Sequence, residues 1–186
     1  MTPYKIVLFV HFLGMVCLFV GYGLEWTASS LLRRSTTTGQ VRSWLRIYGL
    51  SLPISGPGLL ILILSGGYLA STTGEMKQGW ISAALLGIVF ALGIGFVFIL
   101  PKIKALRAAL PQGDAPISDT GLERVQDPMM VTLIRVRAIL ALGIVYLMTA
   151  KPEALSASLF ILLGAIVVGM LCAASCWASR SATSNG

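Results

Sequence analysis

Apolar residues in this chain come in long runs, not at the spaced intervals of a helix or strand that keeps one face in water. Five runs, at about residues 4–26, 47–71, 79–101, 128–149 and 154–178, each approach or exceed the roughly 20 residues that a helix needs to cross the apolar layer of a bilayer. The breaks between them are polar: residues 35–40, residues 72–78, the long stretch 102–127, and the brief turn Lys151-Pro152-Glu153. The pattern predicts an all-α fold, a polytopic transmembrane helical bundle of five spans forming one domain over residues 1–186. A four-span alternative would demote the fourth run, which is short between Arg137 and Lys151.

Punctuation inside the runs refines this outline. Pro53-Ile54-Ser55-Gly56-Pro57-Gly58 predicts a kink or an unwound turn early in the second span. Trp80 reads as an interfacial anchor opening the third span and Pro101 as its stop. Along that span Ala83, Gly87, Ala91 and Gly95 recur every four residues, a strip on which another helix backbone can approach closely. Asp127-Pro128 has the N-cap and first-residue chemistry of a helix start, and Thr120 to Glu123 has capping-box spacing.

Composition excludes the ordinary soluble classes, since 56% of the 186 residues are hydrophobic, only 11% are charged, and the mean hydropathy is +0.85. A net charge of +7 does not indicate nucleic acid, because the basic residues punctuate apolar runs and form no patch interleaved with aromatics. They act instead as topology determinants. In the five-span arrangement Arg33, Arg34, Arg42, Arg46, Lys102, Lys104, Arg107, Arg124, Arg135, Arg137 and Arg180 fall on one side, and Lys5, Lys77 and Lys151 on the other. The positive-inside rule then predicts a bacterial inner-membrane protein with its amino terminus outside and its carboxyl terminus cytoplasmic. The first run exceeds the apolar core of a signal peptide and no cleavage site follows it, so this segment is expected to stay.

Few residues carry candidate chemistry. His11 is the sole histidine, in the outer half of the first span, where an ionisable group is a functional candidate by default. Its functional reading is a haem or metal ligand or a proton-handling group; its structural reading is an interior histidine bonded to a backbone carbonyl or to Tyr68 or Tyr146. Gly14, Leu18, Gly21, Tyr22 and Glu25 share its helix face. Glu25, ending that face, is expected to form a structural ion pair with Arg135, while Arg137 snorkels to the headgroups. Cys17, Cys172 and Cys176 suggest a soft-metal site or, more ordinarily, small residues in helix contacts. No hydrolase, zinc-protease or phosphate-loop motif is present, so no catalytic residue and no metal ligand is assigned.

His11-Phe12-Leu13-Gly14 followed by Gly21-Tyr22-Gly23, then Pro57-Gly58, Gly66-Gly67, Gly79-Trp80 and Pro101, resembles the pattern of a family of small bacterial membrane proteins known as domain of unknown function 2269, over about residues 4–149. That resemblance implies a helical inner-membrane protein without an assigned activity. The His-x-x-Gly opening is also distantly similar to membrane families that include the haem-dependent protoporphyrinogen oxidase of bacteria and the copper-resistance D proteins; there His11 would stand at the first-helix histidine, which implies that it faces a site. Three classes of function follow. One is an accessory or interaction protein that packs its small-residue strips against another membrane protein or a second copy of itself, with the lipid bilayer as its constant partner. The second is a haem-linked redox protein using His11, and the third a small-solute transporter. No further cofactor is expected.

Overall fold

The computed structural model describes residues 2–111 and 113–184, with side-chain positions as far as residue 174. Eight helices follow one another: α1 (Pro3–Leu32), α2 (Thr38–Gly49), α3 (Ser51–Thr73), α4 (Gly79–Gly93), α5 (Leu100–Ala109), α6 (Asp119–Val125), α7 (Pro128–Ala150) and α8 (Leu155–Ser184). Five stretches are long and apolar enough to cross a membrane: Pro3–Leu32, Thr38–Thr73, Gly79–Ala109, Asp119–Ala150 and Leu155–Ala174. No strand occurs among the described residues; the one backbone bridge outside the helices joins Thr37 to Pro116.

Local chemistry explains the ends. Pro3 opens α1, where its missing N–H is no loss. Thr37 caps α2 by accepting from the Gln40 N–H, and Asp127 caps α7 by accepting from the Met129 N–H, with Pro128 at the first helical position. The cap of α6 is Ser118, which accepts from the Gly121 N–H, so the helix starts ahead of the Thr120–Glu123 box. Gly74 and Lys151, both in the left-handed region, terminate α3 and α7.

Two expectations about proline are corrected. Residues 53–58 are not unwound: α3 is helical from Ser51 through Pro57 to Thr73, and the break between helices comes earlier, at Leu50. Pro53 lies in the first turn of α3, where N–H groups have no helical partner anyway. Pro57 forfeits only the rung to the carbonyl of Pro53. Nor does Pro101 stop the third span. The six residues Ile94–Ile99 form a π-helical turn, and α5 continues through Pro101 to Ala109. The wider π turn takes up the clash between a proline ring and the preceding turn.

The chain also builds more outside the apolar layer than a bare bundle. Past their apolar runs, α1 and the α4–α5 rod extend to meet the amphipathic α2 and the short α6, forming a cap at the basic end. Its core holds Leu32, Val41, Leu45, Ile103, Leu106 and Val125. Thr38 stitches it: its N–H donates to the Ala115 carbonyl (2.9 Å), its hydroxyl donates to the Gly113 carbonyl and accepts from the Ala115 N–H.

Inside the apolar layer the helices fall into two lobes. In the first, α1 packs along α3 at close range: a Cβ on Gly58 would stand 2.7 Å from the Cys17 Cβ and 2.8 Å from the Gly14 carbonyl oxygen, so only glycine fits that crossing. The second lobe is α4, α7 and α8, with Ala83, Ala84, Ala91, Leu140, Ile144, Leu147 and Leu162 in its core. The strip of α4 faces inward here. Ala83, Gly87 and Ala91 are buried, a Cβ on Gly87 would meet Ile144 at 3.1 Å, and Gly95 lies against Arg137. At this depth the lobes meet mainly where α1 touches α7.

Candidate functional site

Where the lobes touch, the structure gathers its buried charges. Glu25 of α1 is only 5% exposed, and it pairs with Arg137 of α7, whose side chain is 12% exposed. The other Glu25 oxygen, Oε1, accepts from the Ser51 hydroxyl at 3.0 Å. That hydroxyl is in place because the chain turns at Leu50 and restarts as a helix at Ser51. The Arg137 guanidinium also lies over the Tyr22 ring, 4.7 Å from its centre, a stabilising cation–π geometry. Its Nε–H is buried and has no partner.

The pairing of Glu25 with Arg135 is therefore corrected: the partner is Arg137, and it turns inward instead of reaching for headgroups. Two residues apart on a helix, side chains diverge by about 160°, so the two arginines straddle α1. Arg137 lies on the α4 side, where Gly95 has no Cβ to obstruct it. Arg135 lies on the α8 side, with its guanidinium 5.1 Å from the Trp26 ring centre and a hydrogen bond donated to the Cys172 carbonyl. Periodicity places both arginines near α1 but does not say which neighbour leaves room. The glycine at 95 was the available signal, and Ser51 and Tyr22 were the partners that reading residues singly overlooked.

Above this layer the seam opens. Met15, Leu18, Phe19 and Tyr22 of α1, Leu59 and Leu62 of α3, Ile88, Ala91 and Leu92 of α4, and Ala141, Ile144, Val145 and Met148 of α7 line a partly enclosed crevice with about 60 Å³ of unfilled room. All but Tyr22 are wholly apolar. Tyr22 belongs to both features, lining the crevice and lying under Arg137.

His11 stands apart, about 21 Å from Glu25 along α1 at 1.5 Å per residue. It is half-buried, and its Nδ1 is 2.9 Å from the Ser65 hydroxyl of α3. Ser65 donates its one proton to the Ile61 carbonyl, so its hydroxyl oxygen can serve the ring only as an acceptor. Tyr68 and Tyr146 are exposed, and the contact of Nδ1 is with Ser65 and with neither tyrosine. Cys17 packs at the Gly58 crossing, Cys172 lies on α8, and Cys176 is outside the described side chains, as is Arg180. Among the described residues no three of His, Cys, Asp and Glu gather as metal ligands would.

At the end opposite the cap, Lys151 pairs with Glu75 at 2.7 Å and lies over Trp80, and at the cap Lys102 pairs with Asp127.

Fold and site together define a multi-pass helical membrane protein whose two lobes join through a buried ion pair. The family of predicted integral membrane proteins DUF2269 matches residues 5–152, and the chain belongs to that family. No curated protein and no solved structure matches it.

Proposed function

We propose that the protein binds apolar molecules that travel within the bilayer, and that the seam between the α1–α3 lobe and the α4–α7–α8 lobe is where it holds them. The crevice carries this reading. Elsewhere glycine and alanine close the gaps between helices, as at Gly14, Gly58, Gly87 and Gly169. Here four helices from both lobes leave room, and unfilled space in a packed interior is costly. An accessory role through the Ala83–Gly95 strip has less support, because those residues are turned toward α7 and α8. We propose also that the cap is cytoplasmic and the amino terminus outside, in a bacterial inner membrane, since eleven of the 14 basic residues lie toward the cap end in a five-span chain.

A long-chain alkyl diazirine, photolysed with the protein in lipid nanodiscs, tests the seam. Mass spectrometry should place adducts on Met15, Met148 and their neighbours, and Ala141→Trp, which fills the crevice, should remove them. Labelling spread evenly over lipid-facing residues such as Phe9 and Phe160 would refute the reading. A Soret band in the purified protein that His11→Ala abolishes would replace it with haem-linked redox chemistry.

A further inference from the structure

We infer that the ligand of the seam is an amphipathic anion, its acidic head on the Arg137 guanidinium and its apolar chain in the crevice above; this rests on the seam being a binding site.

The first ground is charge. Two guanidiniums, those of Arg135 and Arg137, are buried in one layer with one carboxylate, Glu25. A surplus positive charge in an apolar layer is costly unless an anion accompanies it. Glu25 carries a single negative charge, and that charge is already paired with Arg137. Arg137 does have capacity, since its Nε–H is buried without a partner. An oxyanion is the group an arginine edge binds best, through paired N–H donors.

The second ground is continuity. The crevice ends at Tyr22 and Ala141, and Ala141 lies one turn along α7 from Arg137. From there it runs to Met15 and Met148, seven residues along either helix and so about 10 Å. A head on Arg137 would thus sit across the Tyr22 ring from the end of the crevice that takes the chain. A cationic head would meet the surplus positive charge, and a neutral hydroxyl would satisfy the Nε–H without neutralising anything. A long-chain carboxylate and a phospholipid phosphate share the required chemistry.

Binding of radiolabelled palmitate to the protein in phosphatidylcholine nanodiscs, with hexadecanol and hexadecylamine as competitors of equal chain length, tests the head group. Palmitate should outcompete hexadecanol by roughly tenfold or more, the scale of a charge-assisted hydrogen bond, and hexadecylamine should compete least. Glu25→Gln/Arg137→Gln, which removes the ion pair as a unit and leaves Arg135 on Trp26 and the Cys172 carbonyl, should fold and lose most of the preference for palmitate over hexadecanol. Arg137→Lys keeps the charge but not the planar donors, and should retain a reduced preference for the acid. Phosphatidylglycerol that displaces palmitate supports the inference with a bilayer phospholipid as the source; resistance to phosphatidylglycerol supports it with a free carboxylate. Equal binding of all three amphiphiles by the unaltered protein overturns the anion and leaves the seam as a binding site. Binding of none overturns both.

Discussion

Neutralising Glu25 should show that the two lobes are joined through Arg137 and not Arg135. Glu25→Gln keeps the shape and the acceptor for Ser51, so it isolates the loss of charge. Breaking a buried ion pair by removing one partner costs about 3–5 kcal/mol in soluble proteins. Intramembrane polar contacts run lower, about 1–2 kcal/mol, because the unfolded chain in the membrane also finds partners. Arg137 already holds one buried N–H without a partner, and loss of Glu25 would strand its charge as well. An effect near the upper range, about 3 kcal/mol, is therefore expected. Arg137→Gln should cost a similar amount, and the double variant should lose less than the sum by at least about 1 kcal/mol. Arg135→Gln should combine with Glu25→Gln additively, within roughly 0.5 kcal/mol. Reversible unfolding of the four-membered cycles in mixed detergent micelles measures these couplings. A larger coupling of Glu25 to Arg135 than to Arg137, or strict additivity in both cycles, would refute the arrangement.

Gly58→Ala should destabilise by about 1–3 kcal/mol in the same assay, as overpacking does, whereas Gly67→Ala, where a Cβ meets nothing within 4 Å, should be close to neutral. Ser65→Ala should remove the hydroxyl beside the half-buried His11 Nδ1 and cost about 1 kcal/mol; an unchanged midpoint would show that this contact contributes nothing to stability. Asp114, in the loop of the cap, accepts from the Thr37 hydroxyl and the Gly39 N–H, which hold its carboxyl below the usual carboxylate range. Its contribution is complete above the ordinary carboxylate pKa and lost as pH falls through the lowered folded value, so the protection of the Gly39 amide, measured against its intrinsic exchange rate at each pH, should fall under acid, and Asp114→Asn should abolish that dependence. With the native cysteines replaced, a cysteine at Thr73 should react with an impermeant reagent in intact cells and one at Gly113 should not; the reverse would invert the topology.

The membrane-crossing stretches were readable because the bilayer imposes one requirement on every span: enough consecutive apolar residues to cross it. Prolines misled for a related reason. Pro57 and Pro101 would break a helix in water, but within the layer a lost rung or a π turn is less costly than abandoning the helix. The cap was not foreseen because its core draws on α1, α2, α5 and α6, none of which is conspicuously apolar there except at Val41, Leu45, Ile103 and Leu106. At the seam, periodicity brought Glu25 and two arginines to one depth. Choosing between them depends on Gly95 in the π turn after α4 and Cys172 of α8, and a single helix face carries no information about its neighbours.

The separation of Glu25 from Arg137, 112 residues along the chain, has a consequence for synthesis. At about 5–20 residues per second, an emerging chain carries Glu25 for roughly 6–22 s before Arg137 is made. Ser51, 26 residues on, is made much earlier, and a single hydroxyl cannot neutralise a carboxylate. During that interval α1 carries a carboxylate without its cationic partner, which favours keeping that end of the helix at the headgroups. The lobe that is made first thus waits for the fourth span, and a chain truncated before α7 should insert its first helix less completely than the whole protein does.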